Sequence, residues 1–373
     1  MPDYIDSMDE ALLQTRFEDF KCAHPSGGIL ILLAEADKDW VQAIQQIAVA
    51  SSTPMVGAIF PEVIADHQFR KHGMVIEYLA DMKEYVIIQQ GEDHSAEWMA
   101  GQIAESSKVC KEKGETLFMI FDSMLPNIAS VVEQLYLQLG DRIHYAGVNA
   151  GSESFTPMHC LFDEKASYQN AVLSLYFNAQ TKNFLEHGFT QPEHIIAATS
   201  SEGNKISSID WRPAFDVYAE LAEQQYHMEI NKENFYQYAA HYPLGIIRMD
   251  GSIICRIPVA FEEDGSIYCV GEVPQNAVLT LLKANYPDFE YTARHLAEQL
   301  APLETDNILG FYCAGRRMQL EGKAQIELAT LDKLIPKKTL YGALSLGEIG
   351  SLIPGGYPLF HNATLVTLAL FDK

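Results

Sequence analysis

The sequence predicts a mixed α/β (α+β) protein of repeated strand–helix–strand–strand units, folded as two closely packed domains. Three observations lead there. An apolar strand, a helix, a second apolar strand and a third strand recur in that order three times along the 373 residues. A glycine followed by a small or apolar residue returns late in the second strand of each copy. Between the second and third copies the chain changes to short β-rich runs separated by Asp-Gly turns.

The first copy runs through GGILILLAEADKDWVQAIQQIAV, SSTPMVGAIFPEVI and GMVIEYLAD: a short apolar strand, acids at a helix entrance, about three helical turns, then two more strands. The second is TLFMIFDSMLPNIASVVEQLYLQLG, RIHYAGVNAGSESF and NAVLSLYF. The third is NILGFYCAGRRMQLEGKAQIELATLDKL, TLYGALSLGEIGSL and NATLVTLALF. The recurring glycines are Gly57-Ala58, Gly147-Val148 and Gly342-Ala343. Glycine at such a point either lets a ligand approach exposed backbone amides at the strand end or permits tight packing over the sheet, and both readings stand.

The stretch TQPEHIIAATSSEGNKISSIDWRPAFDVYAELAEQQY carries a polar turn, a strand and a helix whose first turn suits Pro213. The domain boundary is therefore expected near residues 205–210, giving domains 1–208 and 209–373. Beyond it, Asp250-Gly251 and Asp264-Gly265 sit between β-rich runs and predict hairpin loops. No low-complexity linker separates the halves, so they are expected to pack together.

A hydrophobic fraction of 48% beside 20% charged residues is the balance of a globular chain. The net charge of -24, from 50 acidic and 26 basic residues, repels nucleic-acid phosphates and anionic membranes, so no nucleic-acid partner is expected. The N-terminus lacks a secretory pattern and no apolar run is long enough to span a bilayer, which predicts a cytoplasmic protein without membrane insertion. The six cysteines, Cys22, Cys110, Cys160, Cys255, Cys269 and Cys313, form no CxxC pair, and neither a disulfide framework nor a zinc site is signalled. Nor does the chain carry a GxSxG elbow, a Walker A loop, an HExxH helix or a dinucleotide fingerprint. Cys313 with some distant histidine is the nearest approach to a catalytic set, and spacing alone brings no base to it.

Several segments carry a family resemblance: TPMVGAIFPEVI at 53–64, HYPLGIIR at 241–248, CRIPVAFEEDGSIYCVGEVPQNA at 255–277, FYCAGRRMQL at 311–320, YGALSLGEIG at 341–350 and FHNATLVTLAL at 360–370. In this order they resemble the FIST N-terminal and C-terminal domains, over nearly the whole chain. The resemblance implies a non-enzymatic sensory protein of bacterial signal transduction that binds a small molecule such as an amino acid. It also implies a histidine kinase or another signalling protein as partner; since the chain ends at Lys373 just after the last family segment, the signal is expected to pass by contact. A subset of stand-alone relatives binds haem and reports on nitric oxide, which makes haem a candidate cofactor here. The rival reading is a metabolic enzyme or ligand-binding protein with no signalling role.

Arg316 and Arg317 follow Cys313-Ala314-Gly315 where a strand should give way to a helix, a place from which a guanidinium can grip a carboxylate. Glu348, between Gly347 and Gly350, could pair with Arg316 or receive an ammonium group. Asn149 and Glu153 occupy the matching region of the middle copy, and Glu62 that of the first. Each of these has an ordinary alternative as a cap, salt-bridge partner or loop residue. For haem, His241 and His361 rank slightly ahead of His24, His144 and His159 as axial ligands, although none has a distinctive signature.

Overall fold

An apolar strand buried on both faces must find hydrogen-bonding neighbours on both edges, and in this chain the repeats find them in one another. A computed structural model describes residues 2–91, 95–107, 115–177, 180–189, 194–283, 288–351 and 356–371. The first unit comprises β1 (Asp3–Ile5), α1 (Glu10–Ala23), β2 (Gly28–Ala34), α2 (Val41–Ala50), β3 (Met55–Phe60), the hairpin of β4 (Val63–Ala65) and β5 (Gln68–Arg70), and β6 (Met74–Leu79). The second repeats that order as β7 (Met82–Gln89), α3 (Ala96–Ser106), β8 (Glu115–Asp122), α4 (Ile128–Leu139), β9 (Ile143–Ala150), β10 (Leu161–Asp163) with β11 (Ser167–Tyr168), and β12 (Ala171–Phe177).

The third unit opens with β13 (Gln180–Glu186) and is then interrupted. The insert contains β14 (Ile196–Glu202), β15 (Lys205–Ile209), β16 (Arg212–Pro213), α5 (Ala214–Tyr226), α6 (Phe235–Tyr238), β17 (Leu244–Ile247), β18 (Ile253–Arg256), β19 (Pro258–Phe261), β20 (Ile267–Cys269) and β21 (Val278–Leu281). The unit resumes with α7 (Tyr291–Leu300), β22 (Asn307–Cys313), α8 (Ala314–Leu320), α9 (Lys323–Leu334), β23 (Thr339–Ser345), the hairpin of β24 (Glu348–Gly350) and β25 (Leu359–His361), and β26 (Leu365–Phe371). The single helix read from the third copy is split in two because Glu321 takes a left-handed φ of 52° ahead of Gly322.

Each unit keeps four strands of its own, with parallel pairs β2/β3, β8/β9 and β22/β23 at the centre. Each then lends its hairpin to another unit. β10 pairs with β3, β24 with β9, and β4 with β23, so the second unit completes the first sheet, the third completes the second, and the first completes the third. The exchange is cyclic and closed.

The recurring glycines sit at the crossing points of this exchange. Gly57 faces Phe162 of β10, Gly147 faces Ile349 of β24 and Gly342 faces Ile64 of β4, the middle residue of the lent strand each time. A side chain at Gly57 would run into the Phe162 ring, one at Gly147 would lie 2.6 Å from the Met119 carbonyl oxygen, and one at Gly342 would collide with the Gly310 backbone. Of the two readings of these glycines, close packing is the one their surroundings require.

Between the three sheets lies an apolar centre where the Phe118 and Phe311 rings stack at 5.7 Å and Phe60 meets Phe311 at 6.3 Å. The helices cover the outer faces, with α3 and α4 over β8, and α7 and α9 over β22. The insert has its own core around α5, including Tyr218, Phe235, Ile206 and Leu279. Both Asp-Gly turns are hairpin loops there, with Gly251 and Gly265 at φ of 80° and 85°. A division at residue 208 falls within β15, inside the insert sheet, where β14 and β15 form one hairpin.

The crossing-point geometry predicts that Gly342→Ala lowers unfolding free energy in urea by several kcal/mol, since overpacking a core by one carbon costs about 1–3 kcal/mol and here the obstacle is backbone. Gly101→Ala, in α3 with nothing within 4 Å of the added carbon, is expected to stabilise by about 0.5–1 kcal/mol. Equal midpoints for the two variants would contradict this role.

Candidate functional site

The insert meets the three-unit core along a seam, and the charged groups along it are already engaged. Glu272, following β20, accepts the Ala129 and Ser130 N–H groups at the start of α4, at 3.2 and 2.9 Å. Arg256 of β18, 3% exposed, donates to the Glu272, Cys255 and Phe360 carbonyl oxygens and lies 5.4 Å from the Phe360 ring centre.

Arg316 is fully enclosed on α8. Its Nε and Nη2 form a fork with Glu327 of α9 at 3.0 and 2.6 Å, Nη1 donates to the His187 carbonyl oxygen at 2.7 Å, and Nη2 also reaches the Thr292 hydroxyl at 2.9 Å. The Tyr312 hydroxyl completes the carboxylate at 2.6 Å. Burial works against the Arg316 charge, but Glu327 and Tyr312 outweigh it and its pKa stands above the ordinary arginine value. The expected pairing of Arg316 with Glu348 is not made, because Glu327 rises from the buried face of α9 and takes the fork. Glu327 was missed from sequence, though one acid among Ala324, Leu328 and Leu331 on an apolar helix face was a usable signal.

Arg317 points the other way. It bridges Glu62 of the first unit at 2.8 Å and Glu153 of the second at 2.7 Å, with Phe69 5.6 Å beneath its guanidinium. It thus ties all three units together at one point.

Glu348 is wholly buried on β24, opposite His361 of β25. Its carboxylate accepts the Ser345 hydroxyl at 2.6 Å and the Thr364 hydroxyl, and the Cys313 thiol faces it within hydrogen-bonding reach. Burial outweighs these donors and lifts its pKa to about 7. His361 is driven down to about 3 by burial, with Arg256 and His187 adding to the effect.

A cleft opens on the seam in two adjoining lobes of about 390 and 290 Å³, with Phe155, Val259 and Val270 common to both. The larger lobe is walled by Ser123–Ile128 and Asn149 of the second unit and Gly271-Glu272 of the insert. The smaller is walled by Ile257 and Ala240 of the insert and by Cys313, Gly315 and Asn362 of the third unit. Its surface is mostly apolar, yet polar atoms without a protein partner are buried along it. These are the Asn149 Oδ1 and both amide atoms of Asn362, each residue 1% exposed.

Of the sequence candidates, Asn149 and Glu153 line this cleft, while Arg316, Arg317 and Glu348 do not. Asn362 was missed, since an asparagine between His361 and Ala363 has no pattern to mark it. His241 closes a 3-10 turn beside α6 and His361 lies behind the wall, and neither is among the lining residues. Cys110 lies outside the described residues; Cys160, Cys255, Cys269 and Cys313 are buried thiols and Cys22 is exposed. Among the described residues no helix is long and apolar enough to cross a membrane.

Residues 29–212 match the FIST N domain and residues 214–351 the FIST C domain. Such domains are in general sensory modules of signal transduction, typically without catalytic activity. An uncharacterized protein of Methanocaldococcus jannaschii is 22% identical over 271 residues, covering 67% of this chain and 52% of the relative. The chain thus spans about half the length of the curated relative it matches.

Two outcomes follow from the buried charges. Arg316→Ala is expected to destabilise the fold by about 3–5 kcal/mol in urea unfolding, because Glu327 is left buried without its partner. An unchanged midpoint would contradict that role. Glu348, with its folded pKa raised from 4.5 to about 7, holds a proton that the unfolded chain releases, so its contribution is present below about 4.5 and lost as pH rises through 7. His361 and His187, lowered to about 3 and 4, act oppositely, adding stability as pH rises toward 6.5. Glu348→Gln should therefore gain about 3 kcal/mol relative to the parent between pH 5 and pH 8, and a pH-independent difference would refute it.

Proposed function

This chain belongs to the FIST family, and from that premise we propose that it senses a small, uncharged and largely apolar molecule held in the seam cleft, and reports to a separate signalling protein. The observation that carries this reading is the set of buried amide atoms without a protein partner, the Asn149 Oδ1 and both amide atoms of Asn362, on a mostly apolar surface. A buried amide without a hydrogen bond costs about 1–3 kcal/mol, and a ligand that supplies the missing donor and acceptor recovers it.

The lining argues for a neutral ligand over a zwitterionic amino acid. Glu153 and Glu272 are the acidic side chains among the described lining residues, and each is held by groups of the protein. The arginines nearby are engaged with Glu327, Glu62, Glu153 and backbone carbonyls. A ligand carboxylate entering this cleft would be buried without a cation. Because the cleft is shared by the insert and two core units, an occupant favours the packing of these parts that closes around it. It shifts the balance only by its different affinities for the two arrangements.

The test is a thermal-shift screen of uncharged small molecules beside the common amino acids. Uncharged molecules are expected to raise the melting temperature. Val259→Trp, which fills the mouth from a residue 36% exposed, should remove the response, and Asn362→Ala should weaken affinity about tenfold. Stabilisation by amino acids that survives Val259→Trp would overturn the assignment.

A further inference from the structure

Cys313 ends β22 at the turn into α8 and lines the smaller lobe, with its sulfur accepting the Ala363 N–H at 3.1 Å. The Gly315 and Arg316 N–H groups are turned toward the same sulfur. On its far side stands the Glu348 carboxylate, itself oriented by Ser345 and Thr364. Asn362, whose amide has no partner, lines the same lobe. Nucleophile and a free amide donor therefore line one apolar cavity, and a carboxylate stands behind the nucleophile, outside the lining.

We propose that Cys313 is a covalent capture site for small, uncharged α,β-unsaturated carbonyl compounds, with Glu348 as the base that takes the thiol proton and Asn362 as the donor to the carbonyl oxygen. This rests on the reading of the cleft as the ligand site. The step balances without a co-reactant. The sulfur–carbon bond forms at the β-carbon, the carbon–carbon π pair moves toward the carbonyl oxygen, Glu348 takes the thiol proton, water in the cleft gives one to the α-carbon, and Glu348 afterwards releases its proton to solvent, so that no proton is gained or lost overall. The product is the saturated thioether adduct.

The surroundings select this chemistry. Burial and the Glu348 charge hold the Cys313 thiol above its ordinary pKa, against the Arg316, Ala363 and Gly315 N–H groups, so the resting sulfur keeps its proton. It reacts when an electrophile sits against it and Glu348 can accept that proton. Addition asks for one proton to be taken at the sulfur, which Glu348 provides, and one to be delivered at the α-carbon, which water in the cleft provides. Acyl transfer would also need a leaving group and an activated water. The apolar wall formed by Ile257, Val259 and Leu346 suits a hydrocarbon ring or chain and excludes a charged electrophile.

The experiment treats the full chain with cyclohex-2-enone and, separately, with cyclohexanone, which can enter the cleft but cannot add. Adduct mass is mapped by peptide, rates are normalised to free cysteine, and melting is followed in parallel. The expected result is a saturable adduct at Cys313, absent in Cys313→Ser, abolished by Val259→Trp, and slowed at least tenfold in Glu348→Gln whose circular dichroism matches the parent. Cyclohexanone should raise the melting temperature of both the parent and Cys313→Ser. An adduct confined to exposed Cys22, or a Cys313 rate unchanged in Glu348→Gln, would overturn the proposal. If cyclohexanone still stabilises in that case, only covalent capture is lost and the cleft remains the ligand site. Should Glu348→Gln not fold, the decision passes to saturation and to Val259→Trp: a non-saturable Cys313 rate, or one that Val259→Trp leaves unchanged, counts against capture.

Discussion

No unit of this protein can satisfy its own backbone. β3, β9 and β23 each present an edge that is filled by a strand from another unit, and the three loans close into a ring. Removing one hairpin would leave buried amides and carbonyls unpaired at the receiving sheet and an apolar edge exposed, so the cost of separating the units is borne at three places together. The glycines at the crossings follow from this constraint. At Gly57 the lent strand's Phe162 ring fills the place of a side chain, whereas at Gly147 and Gly342 it is the backbone of the neighbouring parallel strand, at Met119 and Gly310, that leaves no room for one.

The insert is held by a different kind of force. Beside the apolar contacts of Ile253, Cys255 and Ile257 around Ala363, its docking uses polar anchors: Glu272 at the start of α4, Arg256 on the Phe360 carbonyl oxygen and, just ahead of the insert, the His187 carbonyl oxygen on Arg316. Buried charge-to-backbone hydrogen bonds of this sort are directional and fix geometry, while the desolvation of the charged group offsets much of their net contribution. Such a seam joins the parts in a set orientation while leaving a cavity between imperfectly matched surfaces. Its acids being held by groups of the protein, the cavity wall is mostly hydrocarbon, with the amide atoms of Asn149 and Asn362 and the Cys313 thiol among its polar groups.

Much of the fold was legible in the chain. The threefold order of strand and helix, the equivalent glycines and both Asp-Gly hairpins are local patterns, and each survives in the structure because tertiary packing agrees with local preference there. The leading helix of each unit was harder to see, since α1 has little apolar periodicity and α7 is separated from β13 by the whole insert. The site was less legible. Glu153 and Asn149 line the cleft, but Arg316 and Glu348, adjacent to glycines at apolar strand ends, face inward to Glu327 and Cys313 instead.

By itself, the sequence determined that the chain is built of three related α/β units, that a β-rich segment stands between the second and third, and that glycine is needed at three matching points. These are properties of neighbouring residues, set by periodicity and by the φ and space a glycine allows. Only the tertiary structure decided which strand crosses which glycine, where the β-rich segment docks, which acid receives Arg316 and which carboxylate stands beside Cys313. Those pairings join residues from 11 to more than 200 positions apart. Their geometry depends on how three sheets close around one core, and no local spacing encodes it.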